Sequence, residues 1–191
     1  MNRRVARRAT SADLPRLCRT AMRAFVDDPV MRWFYPDDAE YTAGDGDVFR
    51  WAMLRWLQWD EVWTTEDGVA VAAWIPPGRP AVTVPEAPAD QPADRRARFD
   101  AIDRLMTEHT PPEPHWYLNL LATHPDWQRQ GLGATLIEQV GARAATEGLP
   151  VYLETETVEN VAYYSHLGFR VRSEWDVPLD GPHMWGMYRD A

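Results

Sequence analysis

Gln128-Arg129-Gln130-Gly131-Leu132-Gly133 stands between an apolar run, Trp116 to Thr123, and a segment with helical spacing, Ala134 to Val140. A strand that turns through glycine into a helix leaves several backbone N–H groups unpaired at one spot, and the helix dipole adds partial positive charge there. Such a turn can receive a phosphate-bearing ligand. It is not a P-loop, because Ala134-Thr135 follows Gly133 where Lys-Ser or Lys-Thr would be needed. Nor is it a dinucleotide fingerprint, which requires three glycines at set spacing and an acidic residue about twenty positions on. Main-chain amides helped by Arg129 could hold a pyrophosphate. An ordinary turn that uses two glycines for backbone freedom is the alternative.

A second segment, Asn160-Val161-Ala162-Tyr163-Tyr164-Ser165-His166-Leu167-Gly168-Phe169, reads as a short helix stopped by glycine before a strand. Taken alone, its two tyrosines are aromatic packing. Cys18, the single cysteine, cannot form an internal disulfide, which favours a cytoplasmic location. It falls on the apolar face of a predicted helix with Leu14, Leu17, Ala21 and Phe25, and so reads as a buried structural thiol and not as a nucleophile.

The elements that must position these residues follow from periodicity. Residues 5–9 suit a first strand. Thr10 caps a helix with Asp13 in the reciprocal position, and Asp27-Asp28-Pro29 breaks it. Val30 to Tyr35 is predicted as a short helix stopped by Pro36, and residues 47–58 as another. Glu61 to Thr65 and Val69 to Ile75 make a hairpin around Glu66-Asp67-Gly68. Residues 76–92, with Pro85 and Pro88 among six prolines, read as a long loop. Arg95 to Glu108 is helical, Gly148 caps the helix that follows Gly133, and strands are predicted at 151–155, 169–177 and 184–189. The chain of 191 residues suits one domain spanning 1–191, with an α+β (mixed α/β) fold.

Lys and Arg number 20 against 29 for Asp and Glu, a formal net charge of -9. That disfavours nucleic acid as a partner and suits a cationic small molecule. No apolar run follows the basic start, Met1 to Arg8, so it is not a secretory signal, and no stretch approaches a membrane span.

Gln128 to Gly133 has the Gln/Arg-x-x-Gly-x-Gly/Ala form of the GNAT superfamily of acyl-CoA-dependent N-acyltransferases. Asn160, Tyr164 and Leu167-Gly168-Phe169 resemble that family's later motif, about thirty residues on, and Leu153-Glu154-Thr155 before it also fits. The resemblance is clear over residues 115–189 and looser at Thr10 to Asp28. Within the superfamily the chain is most similar to puromycin N-acetyltransferase-like members, through Trp116-Tyr117-Leu118, Asn160-Val161, a Tyr-x-x-Leu-Gly-Phe ending at Phe169, and Gly181-Pro182 before an aromatic strand.

The resemblance implies a central, mostly antiparallel twisted sheet of six to seven strands, flanked by helices and splayed where acetyl-CoA binds. It implies that Leu121, Ala122 and Thr123 present main-chain groups to the pantetheine arm. The amides of Gln128, Arg129, Gln130, Gly131, Leu132, Gly133 and Ala134 would hold the pyrophosphate, and Asn160 would contact the CoA arm near Tyr164. Acetyl-CoA would be the co-substrate, with no metal. A neutral primary amine would attack the thioester, and Tyr164 would protonate the departing thiolate. A phenol near pKa 10 and a thiol near 8.5 are close enough for that transfer.

The base is harder to name. Many relatives carry glutamate four positions before Thr123, but Asn119 stands there, and an amide cannot take a proton from an ammonium. Glu154 is the best remaining carboxylate, acting through water, with a structural hydrogen-bonding role as the alternative. His124 reads as a solvated turn residue, and His115 and His166 carry no stronger claim.

Trp33, Trp51, Trp56, Trp59, Trp63 and Trp74 all fall in the N-terminal half, where family members build the acceptor pocket. Most should fill the core; Trp33-Phe34-Tyr35 is the expected pocket contact. The expected partner is a small-molecule amine, in a monomer or homodimer. Acetylation of a protein N-terminus or lysine, and a non-catalytic acyl-CoA sensor, are the competing expectations.

Overall fold

The computed structural model describes residues 5–83 and 91–191; Met1 to Arg4 of the basic start, and Pro85 and Pro88 of the proline-rich stretch, lie outside the described residues. Among the described residues, seven strands form one sheet: β1 (Ala6–Arg8), β2 (Val62–Thr65), β3 (Ala70–Ile75), β4 (Trp116–Thr123), β5 (Val151–Thr155), β6 (Arg170–Asp176) and β7 (His183–Arg189). Their order is β1-β2-β3-β4-β5-β7-β6. Every neighbouring pair runs antiparallel except β4 and β5. The helices are α1 (Leu14–Ala24), α2 (Pro29–Phe34), α3 (Asp38–Thr42), α4 (Asp47–Leu57), α5 (Ala93–His109), α6 (Leu132–Glu147) and α7 (Val158–His166).

Local chemistry accounts for most boundaries. The Thr10–Asp13 capping box opens a 3-10 turn that runs into α1. Asp28 Oδ1 accepts the Met31 N–H at 2.8 Å and Pro29 opens α2, so the three residues that end the first helix also start the second. α3 follows from the same device at Asp37, whose carboxylate accepts the Glu40 N–H at 2.8 Å, although five residues are too few to show helical periodicity. α6 starts at Leu132 with Gly131 as its cap, so Gly133 lies within the first turn of the helix and not ahead of it.

Helices cover both faces of the sheet. Val71, Ala73, Ile75, Tyr117, Leu120 and Ala122 pack with α1 and α4, while Ala70, Ala72, Trp74, Leu118 and Leu153 pack with α6 and α7. β3 is therefore buried along its whole length, which explains its unbroken apolar run. A third cluster joins α2 and α5 to the outer end of β6 and β7 through Phe34, Ile102, Trp175 and Met184. Cys18 is buried in the α1–α4 layer, as its helical face requires.

Trp74 is fully buried on the α6 side of the sheet. Trp74→Ala should cost about 3–5 kcal/mol, and chemical denaturation read by far-UV circular dichroism measures it. A loss below about 1 kcal/mol would mean that the site collapses around the change.

The register of β3 and β4 shifts once. Ala73 faces Leu120 and Trp74 faces Leu118, which leaves Asn119 as one extra residue on β4. This bulge bends the strand and puts Asn119 and Leu120 on the same face. At that position β4 also leaves β5: the two pair only through Trp116–Leu118 and Val151–Leu153. Beyond it, β4 stays bonded to β3 and β5 to β7, so a slot opens between two strands that are each held on their outer side.

Candidate active site

The β4 edge facing the slot carries Asn119 to Thr123 without a strand partner from β5, so its backbone donors and acceptors are available to a ligand. Leu121, Ala122 and Thr123 pair with β3 at Ala72, Val71 and Ala70, which fixes their other edge. Past Thr123 the chain makes a 3-10 turn over Pro125–Trp127, and Gln128 Nε2 donates to the Thr123 carbonyl at 3.3 Å.

The turn into α6 leaves several backbone amides unpaired. Arg129 and Gly131 both have positive φ, 58° and 78°. The first intrahelical bond is Thr135 N–H to the Gly131 carbonyl at 3.0 Å, so the amides of Leu132, Gly133 and Ala134 precede it and lack helical partners. A Cβ at Gly131 would meet nothing within 4 Å, so the space in front of these amides is open. At Gly133 a Cβ would lie 2.8 Å from the Tyr163 hydroxyl and 3.4 Å from Leu121. The glycine thus brings α6, α7 and β4 together at the mouth of the slot. A phosphate-bearing co-substrate with an extended arm fits this geometry, the phosphates at the helix start and the arm along β4.

α7 supplies Asn160, whose N–H is capped by Thr157 Oγ1 at 3.2 Å, and the two tyrosines. Tyr163 is 38% exposed, whereas Tyr164 is buried against Phe169. Burial, with Glu156 and Tyr163 nearby, holds the Tyr164 phenol well above its ordinary pKa. It therefore stays protonated throughout the physiological range and can act as an acid.

On the opposite face, the slot opens into a cavity of about 390 Å³ lined by α2, α4, α5 and the exposed ends of β4 and β5. Its apolar walls include Phe34, Tyr35, Phe49, Trp51 and Trp56, and its floor Tyr117, Asn119, Leu120, Glu154 and Glu156. Of the three aromatic residues expected there, Phe34 and Tyr35 line the cavity. Trp33 faces away: its indole N–H donates to the Leu179 carbonyl at 2.8 Å. Trp51 and Trp56 take its place because α4, and not only α2, closes the cavity. Trp59 binds the Pro80 carbonyl at 2.8 Å, and Trp63 lies under Arg8 on the far side of the sheet.

Glu154 projects into this cavity among tyrosines. Burial pushes its pKa up to about 7, opposed by hydrogen bonds from Tyr117 and Tyr152 and by the positive charge of Arg79. Its Oε1 is out of reach of solvent and has no hydrogen-bond partner. Asn119 bonds the Tyr117 hydroxyl instead of acting on a substrate proton. His124 caps the 3-10 turn weakly, and His166 bonds the Ala162 carbonyl on the exposed side of α7. His115 is buried, not solvated; it packs edge-on against Tyr152 at 5.7 Å, and burial lowers its pKa.

Three residues at the site did not stand out from the sequence. Asp28 reads only as a helix breaker and Tyr163 as packing, and nothing singles out Glu156. A usable signal existed for one of them: Glu156 stands two positions after Glu154, one residue past the end of β5, and both line the cavity.

Residues 97–171 match the model of the acetyltransferase (GNAT) domain. The fold is similar to a protein of Corynebacterium glutamicum described as histone acetyltransferase HPA2 and related acetyltransferase, with a TM-score of 0.71 at 23% identity, over 98% of this chain and 96% of that one. It is also similar to the polyamine N-acetyltransferase of Drosophila melanogaster, at TM-score 0.66 and 13% identity over 98% and 99% of the two chains. A third likeness is to arylalkylamine N-acetyltransferase 2 of Aedes aegypti, at TM-score 0.62 and 12% identity over 97% and 98%. No described helix is long and apolar enough to cross a membrane, and the described residues include no cluster of His, Cys, Asp or Glu that could hold a metal ion. Residues 97–171 thus match the acetyltransferase (GNAT) domain, and the chain as a whole shares the fold of these acetyltransferases.

Proposed function

We propose that the protein transfers the acetyl group of acetyl-CoA to a primary amine of a small molecule, directly, in a ternary complex. The observation that carries this reading is the slot between β4 and β5, which lies between the amide cradle of α6 on one face and an aromatic-lined cavity on the other. Acetyl-CoA supplies the activated acetyl group. The amides of Arg129 to Ala134 hold its phosphates, Leu121, Ala122 and Thr123 hold its arm, and Asn160 and Tyr163 flank it. Phe34 and Tyr35 contact the acceptor. Glu154 takes a proton from the acceptor nitrogen, directly or through water, and Tyr164 gives one to the leaving sulfur.

A small molecule is favoured over a protein terminus because the acceptor space is walled by three helices, lined by aromatic rings, and has the volume of an ordinary ligand pocket. The puromycin acetyltransferase-like residues place an aminonucleoside among the candidates. Incubation with acetyl-CoA and a panel of amines, with thiol release followed in time, tests the reading. The panel holds puromycin, aryl- and alkylamines, polyamines and an N-terminal peptide. Turnover on a small amine supports it, turnover on the peptide alone favours the protein substrate, and acetyl-CoA binding with no thiol release on any amine favours a sensor.

Transfer through an acyl-cysteine is disfavoured, since burial raises the Cys18 thiol to about 11 and the residue lies within the α1–α4 layer. Cys18→Ala should keep wild-type turnover in the thiol-release assay; an inactive but folded variant would overturn direct transfer.

A further inference from the structure

Asp28 and Glu156 meet at the end of the cavity next to the slot. Both line the cavity, and their carboxyl groups hydrogen-bond to one another. Asp28 is fixed from behind as the cap of α2. Glu156 continues the face of β5 that carries Glu154, and it lies close enough to Tyr164 to act on its phenol. Neither carboxyl group has an ion-pair partner among the described residues. Arg32, on the same helix as the Asp28 cap, turns instead to Asp38 and lies over the Tyr41 ring. Burial raises both carboxyl groups and Asp28 raises Glu156 further, so the hydrogen-bonded pair shares a proton.

A desolvated negative charge without a cation is costly in an ordinary core. The pair sits instead at the wall of a space large enough for a ligand, beside a third carboxylate, Glu154, whose Oε1 also has no partner. The cavity is graded in charge. Of the two described arginines that line the cavity, Arg79 acts on Glu154 and lies over the Tyr117 ring at 5.3 Å and Arg55 lies over the Trp59 ring at 5.7 Å, whereas neither is among the charges acting on Asp28 and Glu156. A cation entering the cavity is therefore repelled at the Arg79 end and drawn to the slot.

We propose that the Asp28–Glu156 pair is the docking site for the ammonium of the acceptor, which makes the substrate a monocationic alkylamine with an apolar or aromatic body. The inference rests on the acetyltransferase reading and specifies its acceptor side. The pair binds R–NH3+ as one charge against one charge and holds the nitrogen beside Tyr164 and the open edge of β4. One N–H proton then passes to Glu154, which frees the nitrogen lone pair to attack the thioester carbonyl; as the C–N bond forms and the C–S bond breaks, Tyr164 protonates the leaving sulfur and takes up the second N–H proton. The pair keeps its own proton throughout.

Phenethylamine and its neutral counterpart 2-phenylethanol serve as probes, with the fluorescence of Trp51 and Trp56 in the cavity wall as the readout, at neutral pH. The wild type should prefer the amine by about tenfold or more, the scale of a hydrogen-bonded charge. The double variant Asp28→Asn, Glu156→Gln retains the helix cap and the shapes, and should bind the two probes about equally. Asp103→Asn, a cavity carboxylate on the α5 wall, should keep the preference. Equal affinity in the wild type, including no binding of either probe, or a preference that survives the double variant, overturns the proposal. Titration of the same samples with CoA separates the two readings. Failure to bind CoA removes the acetyltransferase reading, whereas CoA binding without amine preference removes only the docking site.

Discussion

Tyr164→Phe is expected to lower kcat by about a hundredfold or more, with little change in the KM for acetyl-CoA. The side chain is buried between α7 and Phe169, so removing one oxygen leaves its packing intact and deletes only the proton. Loss of kcat with KM retained marks an interaction made in the transition state alone. The pH profile gives an independent check. Burial holds the phenol above its usual 10.0, so the wild type should show no alkaline decline from this group below that pH. An unchanged kcat in the phenylalanine variant would remove Tyr164 from the mechanism and direct attention to Tyr163, whose hydroxyl sits over Gly133.

Glu154→Gln should have the second largest effect and should act in two opposite directions. As a base the carboxylate must be ionised, and burial places its pKa at about 7. The wild-type kcat/KM should therefore rise with pH through that region, and the variant should be slower by about a hundredfold and lack this acidic limb. Stability moves the other way. The folded-state pKa lies above the unfolded value of 4.5, so the native state binds more protons in between and loses stability as pH rises from 4.5 through about 7. Glutamine carries no such charge, so at pH 8 the variant should melt higher than the wild type. A variant that is both active and unchanged in melting temperature would show Glu154 to be a solvated bystander.

Much of this site is legible from local pattern. The strand at 116–123, the glycine turn and the helix after it follow from apolar runs and two glycines, because backbone geometry dictates those residue types. Cys18 is legible as buried because a helical face can be counted. What local pattern misses depends on where distant elements meet. The sequence favours Trp33 over Trp51 as a pocket contact, and only the packing of α2 and α4 decides that Trp33 faces Leu179 and Trp51 the cavity. Asp28 is hidden by its second role, since a helix cap and a cavity carboxylate look the same in a sequence. Its partner Glu156 is 128 positions away, and no periodicity spans that distance.

The extra residue at Asn119 carries a consequence for how such a site can be lost. Side chains alternate along a strand, so the shift of one position by the bulge decides which way every later residue of β4 points. A chain shortened by that single residue would regain regular alternation, with Leu120 and Ala122 still on the cavity side and Leu121 still on the α6 side. What it would lose is the bend that the extra residue puts into β4 where β4 and β5 part. A one-codon deletion at this position should therefore straighten β4 toward β5 and narrow the slot, while leaving every proposed catalytic side chain in the sequence and on its face.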